Sequence, residues 1–338
     1  DAQIKPCSHM GQRRCRRDIH DAEKLTVLSL NINMWTDSIT YLDVEPTSIC
    51  QAACPMCARN VEGKGLNPYI TLKSLDLNWF KENLPSWKIK QLEKIRFGGN
   101  VGDPAATPEL LEIISHVKTI NPAITVGLNT NGAIRNTEWW KQLGNLLTGE
   151  LDYCTFSIDG LEDTNHLHRR NVRWDLLMNN LQTYISTGAT AHCDMLVFEH
   201  NKHQVEDFKI FAKEQGFTLL FIKETDRWDT YTNDIGLKPA HPYKKESYES
   251  VDISCERDRN NSVYLDYLGK FWPCCHMAEA YLNKIGYELH HDIRQHDNKE
   301  LFDVYSQRLN NKPFFVCKRV CNTSNGKKSQ YKEQLRFR

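Results

Sequence analysis

The feature that most constrains this chain is a loop with three closely spaced cysteines. Cys50, Cys54 and Cys57 follow the spacing Cys-x3-Cys-x2-Cys. The residues just before them, 41–46, alternate apolar and polar side chains as a half-buried strand does, and Pro46 would end that strand because proline cannot donate to a sheet. The loop is therefore expected at the carboxyl end of a β-strand, where α/β proteins place their ligands.

Three thiols on one short loop suit a cubane iron–sulfur cluster. Such a cluster has four irons, so three protein ligands leave one iron free to bind a small molecule. A zinc knuckle would need a fourth ligand at a paired spacing, and none lies near Cys57 in the sequence. We interpret the loop as a cluster site, with a zinc knuckle or a redox pair as the alternatives.

Strand-like and helix-like segments alternate from residue 39 onward. We predict six strands, over 40–44, 94–97, 125–129, 153–158, 190–197 and 218–222. We predict helices over 108–120, 138–147, 174–187 and 204–215, the first with Thr107 as N-cap and Pro108 at its first position. Six β/α units in series predict a parallel sheet with right-handed crossovers. After residue 233 the pattern changes, so a boundary is expected near residue 240, with a hairpin around 267–270 beyond it.

Short motifs rich in glycine and asparagine close three of the predicted strands. They are Gly98-Gly99-Asn100-Val101-Gly102-Asp103-Pro104 after the second strand, Thr130-Asn131-Gly132 after the third and Ser157-Ile158-Asp159-Gly160 after the fourth. Glycines at a strand end let the backbone approach a ligand closely and expose its polar groups. Each motif alone is also compatible with an ordinary turn, so their weight comes from their shared position.

Taken in order with the cysteine loop, these motifs resemble the radical S-adenosylmethionine (SAM) superfamily, over roughly residues 40–325. Met56 stands where members of that family usually carry an aromatic residue before the third cysteine. The resemblance implies an α/β fold with a partial (β/α)6 TIM-like barrel over 38–240. An N-terminal extension over 1–37 would precede the barrel, and a small cysteine-rich α+β domain over 241–338 would follow it.

The resemblance also implies which residues after the second strand contact SAM. Family members carry a GGEP-like sequence there, and either Gly98-Gly99 or the stretch 101–104 could correspond to it. We favour the second register because the proline and the following helix then fall in place. It puts Asn100, Gly102 and Asp103 beside SAM.

Two further SAM contacts follow from the likeness to an SxDG motif. Ser157 would hydrogen-bond SAM, and Arg169, a dozen residues later, would pair with the SAM carboxylate. Arginine suits that role because its guanidinium group binds a carboxylate bidentately. Arg170 is the alternative if the register slips by one residue.

The C-terminal cysteines resemble those of SPASM and twitch extensions, which carry auxiliary clusters. Because the central Cys-x2-Cys pair of a full SPASM domain is missing, the resemblance implies one auxiliary [4Fe–4S] cluster, in a twitch-like domain. Its four ligands would be Cys255, Cys274, Cys317 and Cys321. Cys275 could replace Cys274, or the cluster could keep an open iron. A zinc ribbon is the alternative, because zinc also accepts four thiolates.

The remaining cysteines and the overall charge constrain the environment of the protein. Cys154 and Cys193 lie in predicted strands and are expected to be small core residues, whereas Cys7 and Cys15 have no spacing partner. No histidine is assigned a role. Lysine plus arginine and aspartate plus glutamate number 43 each, so no net field favours nucleic acid or an anionic membrane. Twelve cysteines without an export signal or an apolar membrane-spanning stretch suggest a cytoplasmic, reducing location.

The resemblance implies the reaction but not the substrate. The reduced cluster would cleave SAM to methionine and a 5′-deoxyadenosyl radical, which would take a hydrogen atom from an unactivated carbon. An external one-electron donor such as flavodoxin or ferredoxin would supply the electron. We expect a peptide or protein side chain as substrate, with dehydrogenation of a sugar-like alcohol as the alternative. A zinc-binding module without chemistry is the hypothesis from a different class.

Overall fold

A computed structural model describes residues 39–225, 227, 237–239, 253–282, 314–321 and 333–337. The predicted N-terminal extension, 1–37, lies outside the described residues, as do Cys7 and Cys15. Within the described part, no helix is long and apolar enough to span a membrane.

Strands and helices alternate through most of the described chain. The strands are β1 (Tyr41–Val44), β2 (Asn60–Val61), β3 (Gly65–Leu66), β4 (Lys94–Phe97), β5 (Thr125–Thr130), β6 (Tyr153–Ser157), β7 (Ala191–Leu196), β8 (Leu219–Lys223), β9 (Ser262–Leu265), β10 (Phe271–Trp272) and β11 (Glu333–Arg336). The helices are α1 (Leu77–Asn83), α2 (Ser86–Gln91), α3 (Leu110–Ile120), α4 (Thr137–Leu146), α5 (Asn165–His168), α6 (Trp174–Ser186), α7 (Val205–Glu214), α8 (Glu256–Arg259), α9 (Cys275–Leu282) and α10 (Phe315–Val320). All six predicted strands and all four predicted helices are present, with ends shifted by at most two residues.

The main sheet has nine strands in the order β10-β9-β1-β4-β5-β6-β7-β8-β11. The strands β1, β4, β5, β6, β7 and β8 pair in parallel, each with the next in this order. This arrangement confirms the predicted series of β/α units and the α/β fold class. β9 adds in parallel to β1, and β10 completes the predicted hairpin with β9. β11 pairs antiparallel with β8 at the opposite edge. The sheet therefore contains strands from both sides of the boundary expected near residue 240.

Alternate residues of the strands face two very different environments. One set, including Leu42, Ile95 and Val126, is fully buried in the apolar core beneath the helices. The other set carries polar side chains into the open interior of the barrel, where Asp43 bonds to Arg96 of the neighbouring strand. Because strand side chains alternate with a period of two, a polar interior and an apolar exterior follow from the same strands. Cys154 and Cys193 lie fully buried in the apolar set, as predicted.

The start of α3 differs from the prediction. Thr107 does not cap the helix, because its backbone N–H closes a short 3-10 turn, Pro104–Ala106, and its hydroxyl has no hydrogen-bond partner among the described residues. The helix begins at Leu110, and Glu109 precedes it without a side-chain cap. The carboxylate of Asp103 instead caps the 3-10 turn, accepting from Ala105 N at 3.0 Å. The predicted cap at Thr107 was therefore wrong.

Candidate active site

The three barrel cysteines lie on a loop, residues 50–57, that we call the cluster loop. It follows β1 by six residues, and its shape is fixed by backbone hydrogen bonds. Cys57 N donates to Cys54 O at 3.1 Å, and Ala53 N donates to Arg170 O at 2.9 Å. Hydrogen bonds thus form both within the loop and between the loop and the segment after β6.

The cluster loop opens onto a cavity of about 500 Å³ at the carboxyl ends of the parallel strands. The cavity wall includes every barrel residue to which the sequence assigned a role. These residues are Cys50, Cys54, Cys57, Asn100, Gly102, Asp103, Ser157 and Arg169. The fold therefore brings together eight residues that are spread over 120 positions of the chain.

Close backbone packing explains the glycines of the loop after β4. A Cβ atom at Gly102 would overlap the carbonyl oxygen of Thr47, and one at Gly99 would overlap the carbonyl oxygen of Gly102. Only glycine fits where two backbone segments approach so closely. Both registers considered for this motif thus contain a glycine that the fold requires, and the loop packs against the chain that leads into the cluster loop.

Glu45, to which the sequence analysis gave no role, organises the same loop. Its side chain is fully buried, and Oε1 accepts hydrogen bonds from the backbone N–H groups of Asn100 at 2.7 Å, Val101 at 2.6 Å and Gly102 at 3.3 Å. Oε2 accepts from the hydroxyl of Tyr264 at 2.6 Å. Burial raises the pKa of Glu45 to about 7, although these hydrogen bonds oppose the shift. The sequence signal that could have identified Glu45 is its position directly before Pro46, at the end of a predicted strand.

Asp103 connects the loop after β4 with the motif after β5. Its buried carboxylate accepts from Thr130 Oγ1 at 2.9 Å, and from the backbone and side-chain nitrogens of Asn131 at 2.8 and 2.6 Å. Asn131 Nδ2 also lies 3.6 Å from Cys50 Sγ. Asp103 therefore links two strand ends to the cluster loop through its neighbours, and burial raises its pKa.

A buried carboxylate holds two consecutive side chains at the cavity wall. Asp159 Oδ2 lies 2.6 Å from Arg169 Nε and 2.7 Å from His168 Nδ1. Burial alone would raise the pKa of Asp159, but the Arg169 and His168 side chains hold it well below its usual range. Because an ionised carboxylate can only accept, His168 Nδ1 carries the proton and Nε2 is left as an acceptor. Burial also lowers the pKa of His168, which keeps the ring neutral.

Arg169 and Arg170 have different surroundings. Arg169 lines the cavity beside Cys54. Arg170 Nη1 instead donates to the backbone carbonyl of Glu62 at 3.3 Å, on the hairpin formed by β2 and β3. Of the two arginines considered for the SAM carboxylate, Arg169 is thus the one at the cavity.

The donor atoms in the cavity fit a metal cluster with a polar ligand. Burial raises the pKa of the Cys54 thiol to about 12, and the pKa values of the Cys50 and Cys57 thiols also rise, so a cationic partner is needed to hold these thiols as thiolates. Four buried polar atoms of wall residues make no hydrogen bond to the residues that the structure describes. They are Asn129 Oδ1, His168 Nε2, Asp194 Oδ1 and Arg169 Nε, the last of which still lies within ion-pair distance of Asp159.

The C-terminal cysteines form a second group, away from the cavity. Cys255, Cys274 and Cys317 are buried in one apolar cluster with Trp272. Cys321 joins them, because its side chain interacts with that of Cys255, and this contact together with burial raises its pKa. Within the described ranges, no three His, Cys, Asp or Glu side chains are arranged to hold a single metal ion.

Cys274 and Cys275 have different surroundings. Cys274 is buried in the apolar cluster with the other C-terminal cysteines, whereas Cys275 packs against the edge of that cluster and also lines the barrel cavity. Arg257 Nη2 lies 3.4 Å from Cys275 Sγ and 2.5 Å from Asp43 Oδ2. The side chain of Asn100 donates to the carbonyl of Cys275 at 2.9 Å. The sequence analysis considered Cys275 only as a substitute ligand and missed its place at the cavity.

The fold and the site together define a class: an α/β enzyme that holds its ligands at the carboxyl ends of parallel strands. Residues 44–212 match the family model described as the Radical SAM superfamily. Because this match covers half of the chain, the chain belongs to the radical SAM superfamily. The family implies a [4Fe–4S] cluster and SAM as its cofactors, and membership shows that the hypothesis of a zinc-binding module without chemistry was wrong.

Individual relatives share only limited sequence identity with this chain or match only part of it. The chain is 32% identical over 124 residues to the "Tungsten-containing aldehyde ferredoxin oxidoreductase cofactor-modifying protein" of Pyrococcus furiosus, an alignment that covers 36% of this chain and 31% of that protein. In structure it is similar to Streptococcus suis SuiB bound to S-adenosylmethionine, with a TM-score of 0.52 and 13% identity over 81% of this chain and 68% of SuiB. SuiB bound to its precursor peptide SuiA gives a TM-score of 0.51 and 14% identity, over 96% and 76% of the two chains. At these identities the likeness to SuiB establishes the fold.

Proposed function

We propose that this enzyme holds a [4Fe–4S] cluster on Cys50, Cys54 and Cys57 and modifies a peptide or protein side chain. The observation that carries the proposal is that the three thiols line one cavity together with buried polar atoms that lack a partner. When bound, the cluster and SAM supply a carbon-centred radical that removes a hydrogen atom from the substrate. The protein supplies orientation and exclusion of water.

The residues predicted to contact SAM line the cavity, which supports a role in orienting it. The loop after β4, held by Glu45, presents Asn100 and Gly102 at the cavity next to the cluster loop. Ser157 lies at the end of β6, and Arg169 is mostly buried with its Nε side fixed by Asp159. We infer that Arg169 offers its remaining N–H groups to the SAM carboxylate, a charge-assisted contact.

The substrate is proposed to bind on the far side of the cavity. Asp194 and Lys223 pair at 3.0 Å, near the ends of β7 and β8, and both line the cavity. In the sheet, the strands β4, β5 and β6 separate β7 and β8 from β1, which leads into the cluster loop. The unpartnered Asp194 Oδ1 and His168 Nε2 are acceptors for amide or hydroxyl donors of a substrate.

Two comparisons bear on the class of substrate. The fold is shared with SuiB, which has been determined with a bound precursor peptide, and this supports a peptide substrate. The Pyrococcus relative is named for modifying a cofactor, which favours the second candidate, a radical oxidation of a small molecule. A precursor peptide encoded beside the gene, and its mass change after incubation with enzyme and SAM, would support the first candidate. Turnover of only a small alcohol would replace it with the second.

We also propose an auxiliary [4Fe–4S] cluster on Cys255, Cys274, Cys317 and Cys321. The grouping of these side chains apart from the cavity supports it, and the position of Cys275 favours Cys274 as the ligand. An external one-electron donor of the flavodoxin or ferredoxin class would reduce the first cluster. A reducing, cytoplasmic location is part of the proposal, because cluster ligation requires reduced cysteines.

Metal analysis tests both clusters. Protein reconstituted anaerobically is expected to hold about eight irons and eight sulfides, as two cubanes require. Changing Cys50, Cys54 and Cys57 to alanine should halve the iron content and abolish SAM cleavage. Stoichiometric zinc without iron would overturn the proposal.

The role of the auxiliary cluster needs a separate variant. With Cys317→Ala and Cys321→Ala, dithionite should still drive formation of 5′-deoxyadenosine, because the barrel cysteines are untouched, while product formation is lost. A melting curve must first show that the variant is folded, since metal binding contributes to folding. A folded variant that makes product at the normal rate would contradict an auxiliary role.

A further inference from the structure

The hairpin formed by β2 and β3 lies directly on the cluster loop. A Cβ atom at Gly63, in the turn of this hairpin, would be 2.6 Å from Ala53 O and 3.1 Å from Pro55 Cγ. Asn60 Nδ2 donates to Cys54 O at 3.3 Å. The hairpin therefore packs directly against the cluster loop, with Asn60 lining the cavity and the neighbouring residues Val61, Glu62 and Lys64 exposed.

The segment 59–73, which contains this hairpin, exposes an unusual amount of apolar surface. Its exposed fractions are 52% for Val61, 39% for Leu66, 55% for Tyr69 and 55% for Leu72. Isolated exposed apolar side chains are normal, but several within one short segment mark an interaction surface. We call the exposed face of residues 59–73 the hairpin surface.

The hairpin surface also carries an excess of positive charge. Lys64 and Lys73 are exposed on it, the half-buried Arg59 lies at its start with Nε donating to Ser48 O at 3.0 Å, and Arg170 is attached to it through the carbonyl of Glu62. The acidic side chain of the segment is that of Glu62, which pairs with Lys64 at 3.1 Å. Since the whole chain has no net charge, this local excess is a property of the surface and not of the composition.

We propose that the hairpin surface is the docking site of the electron donor, a small acidic carrier protein of the flavodoxin or ferredoxin class. This rests on the proposed function, which requires one electron to reach the cluster held by the cluster loop. The rate of electron transfer falls exponentially with distance, and the cavity is needed for SAM and substrate. The donor is therefore best placed on the exposed face of the hairpin, which contacts the cluster loop directly. One electron leaves the carrier, which is oxidised, and reduces the cluster, with no bond made or broken.

The composition of the surface fits such a partner. Electron-transfer complexes are small and transient, with an apolar centre and charged groups that steer the encounter. Val61, Tyr69 and Leu72 provide the apolar part, and the lysines provide charge complementary to an acidic carrier. Steering by such charges acts on the association rate and weakens with ionic strength.

The test is a charge reversal with a matched control. In the reconstituted enzyme, Lys64→Glu and Lys73→Glu are combined, and the control combines Lys141→Glu with Lys213→Glu, two exposed lysines on the barrel helices α4 and α7. Stopped-flow bleaching of the cluster by reduced flavodoxin is measured at about 0.01 M and at about 1 M salt, where the Debye length falls from about 30 to about 3 Å. The hairpin variant should react about ten-fold more slowly than the control at low salt and equally fast at high salt.

Reduction by dithionite separates this proposal from the proposed function. Dithionite is small and needs no docking surface, so both variants should be reduced at the wild-type rate and cleave SAM. Equal flavodoxin rates for the hairpin variant and the control would overturn the docking site while leaving the proposed function intact. Failure of dithionite to reduce the wild-type protein would overturn both. A wild-type dimer in sedimentation that the hairpin variant alone dissociates would assign the surface to a second copy of the chain instead.

Discussion

The hydrogen bonds of Glu45 allow a quantitative prediction about the loop after β4. In the variant Glu45→Ala, the backbone N–H groups of Asn100, Val101 and Gly102 lose their common acceptor. The hydroxyl of Tyr264 loses its acceptor as well. A buried donor left without a partner costs roughly 1–3 kcal/mol. The bond to Gly102 is long at 3.3 Å and water can enter from the cavity, so we expect a loss of about 3–5 kcal/mol of unfolding free energy in total.

The variant Glu45→Gln is the matched control. Its carbonyl oxygen can still accept from the three N–H groups, and its amide can donate to the hydroxyl of Tyr264, which is able to accept. We expect its unfolding free energy to lie within about 1 kcal/mol of the wild-type value. Tyr264→Phe removes two hydrogen bonds, the one that the hydroxyl donates to Glu45 and the one that it accepts from Asn100 Nδ2 at 3.2 Å, and should lie between the two variants. Urea denaturation under anaerobic conditions, followed by circular dichroism, gives the three unfolding free energies.

The raised pKa of Glu45 predicts a pH dependence of known sign. Its pKa is about 7 in the folded protein and 4.5 in its ordinary state, so the folded protein binds one more proton than the unfolded chain between these values. Stability should therefore fall as the pH rises through this window, by up to about 1.4 kcal/mol per pH unit. Glu45→Gln should lack this slope because its side chain does not titrate. If the alanine and glutamine variants unfold at the same urea concentration, with the same pH slope as wild type, the carboxylate does not hold the loop.

Three further predictions concern single residues of the site. Arg169→Ala should weaken SAM binding about ten-fold or more in calorimetry, since a charged hydrogen bond contributes roughly 1.5–3 kcal/mol. Arg170→Ala should leave SAM binding unchanged. The reverse result would shift the assignment by one residue. Gly102→Ala should lower the unfolding free energy by about 1–3 kcal/mol because the new methyl group overlaps a backbone carbonyl, while Gly65→Ala, with open space around it, should stay near wild type in the same urea assay. Cys275→Ser should leave the iron content unchanged, because this thiol faces the cavity; loss of iron would make it a ligand of the auxiliary cluster.

Much of the fold and part of the site could be predicted from local patterns. Apolar side chains recur about every two residues in the strands and about every four in the helices, so each element can be predicted from its own sequence. All six predicted strands of the barrel are present. The spacing of Cys50, Cys54 and Cys57 places three sulfur atoms on one loop whatever the rest of the chain does. Strand-end motifs then meet at the same edge, because parallel strands align their carboxyl ends.

The tertiary structure alone decided which polar groups meet at that edge. Glu45 and Tyr264 are 219 residues apart, and their contact depends on β9 joining the sheet beside β1. Sequence analysis assigned no role to His168, whose ring the fold places against Asp159, and nothing in the adjacent Cys274 and Cys275 indicates that only Cys275 lines the cavity. Local patterns fix strands and loops because they act over a few residues. Contacts between residues far apart in the chain depend on strand order and register. These two properties arise from the packing of the whole chain and cannot be read from a local pattern.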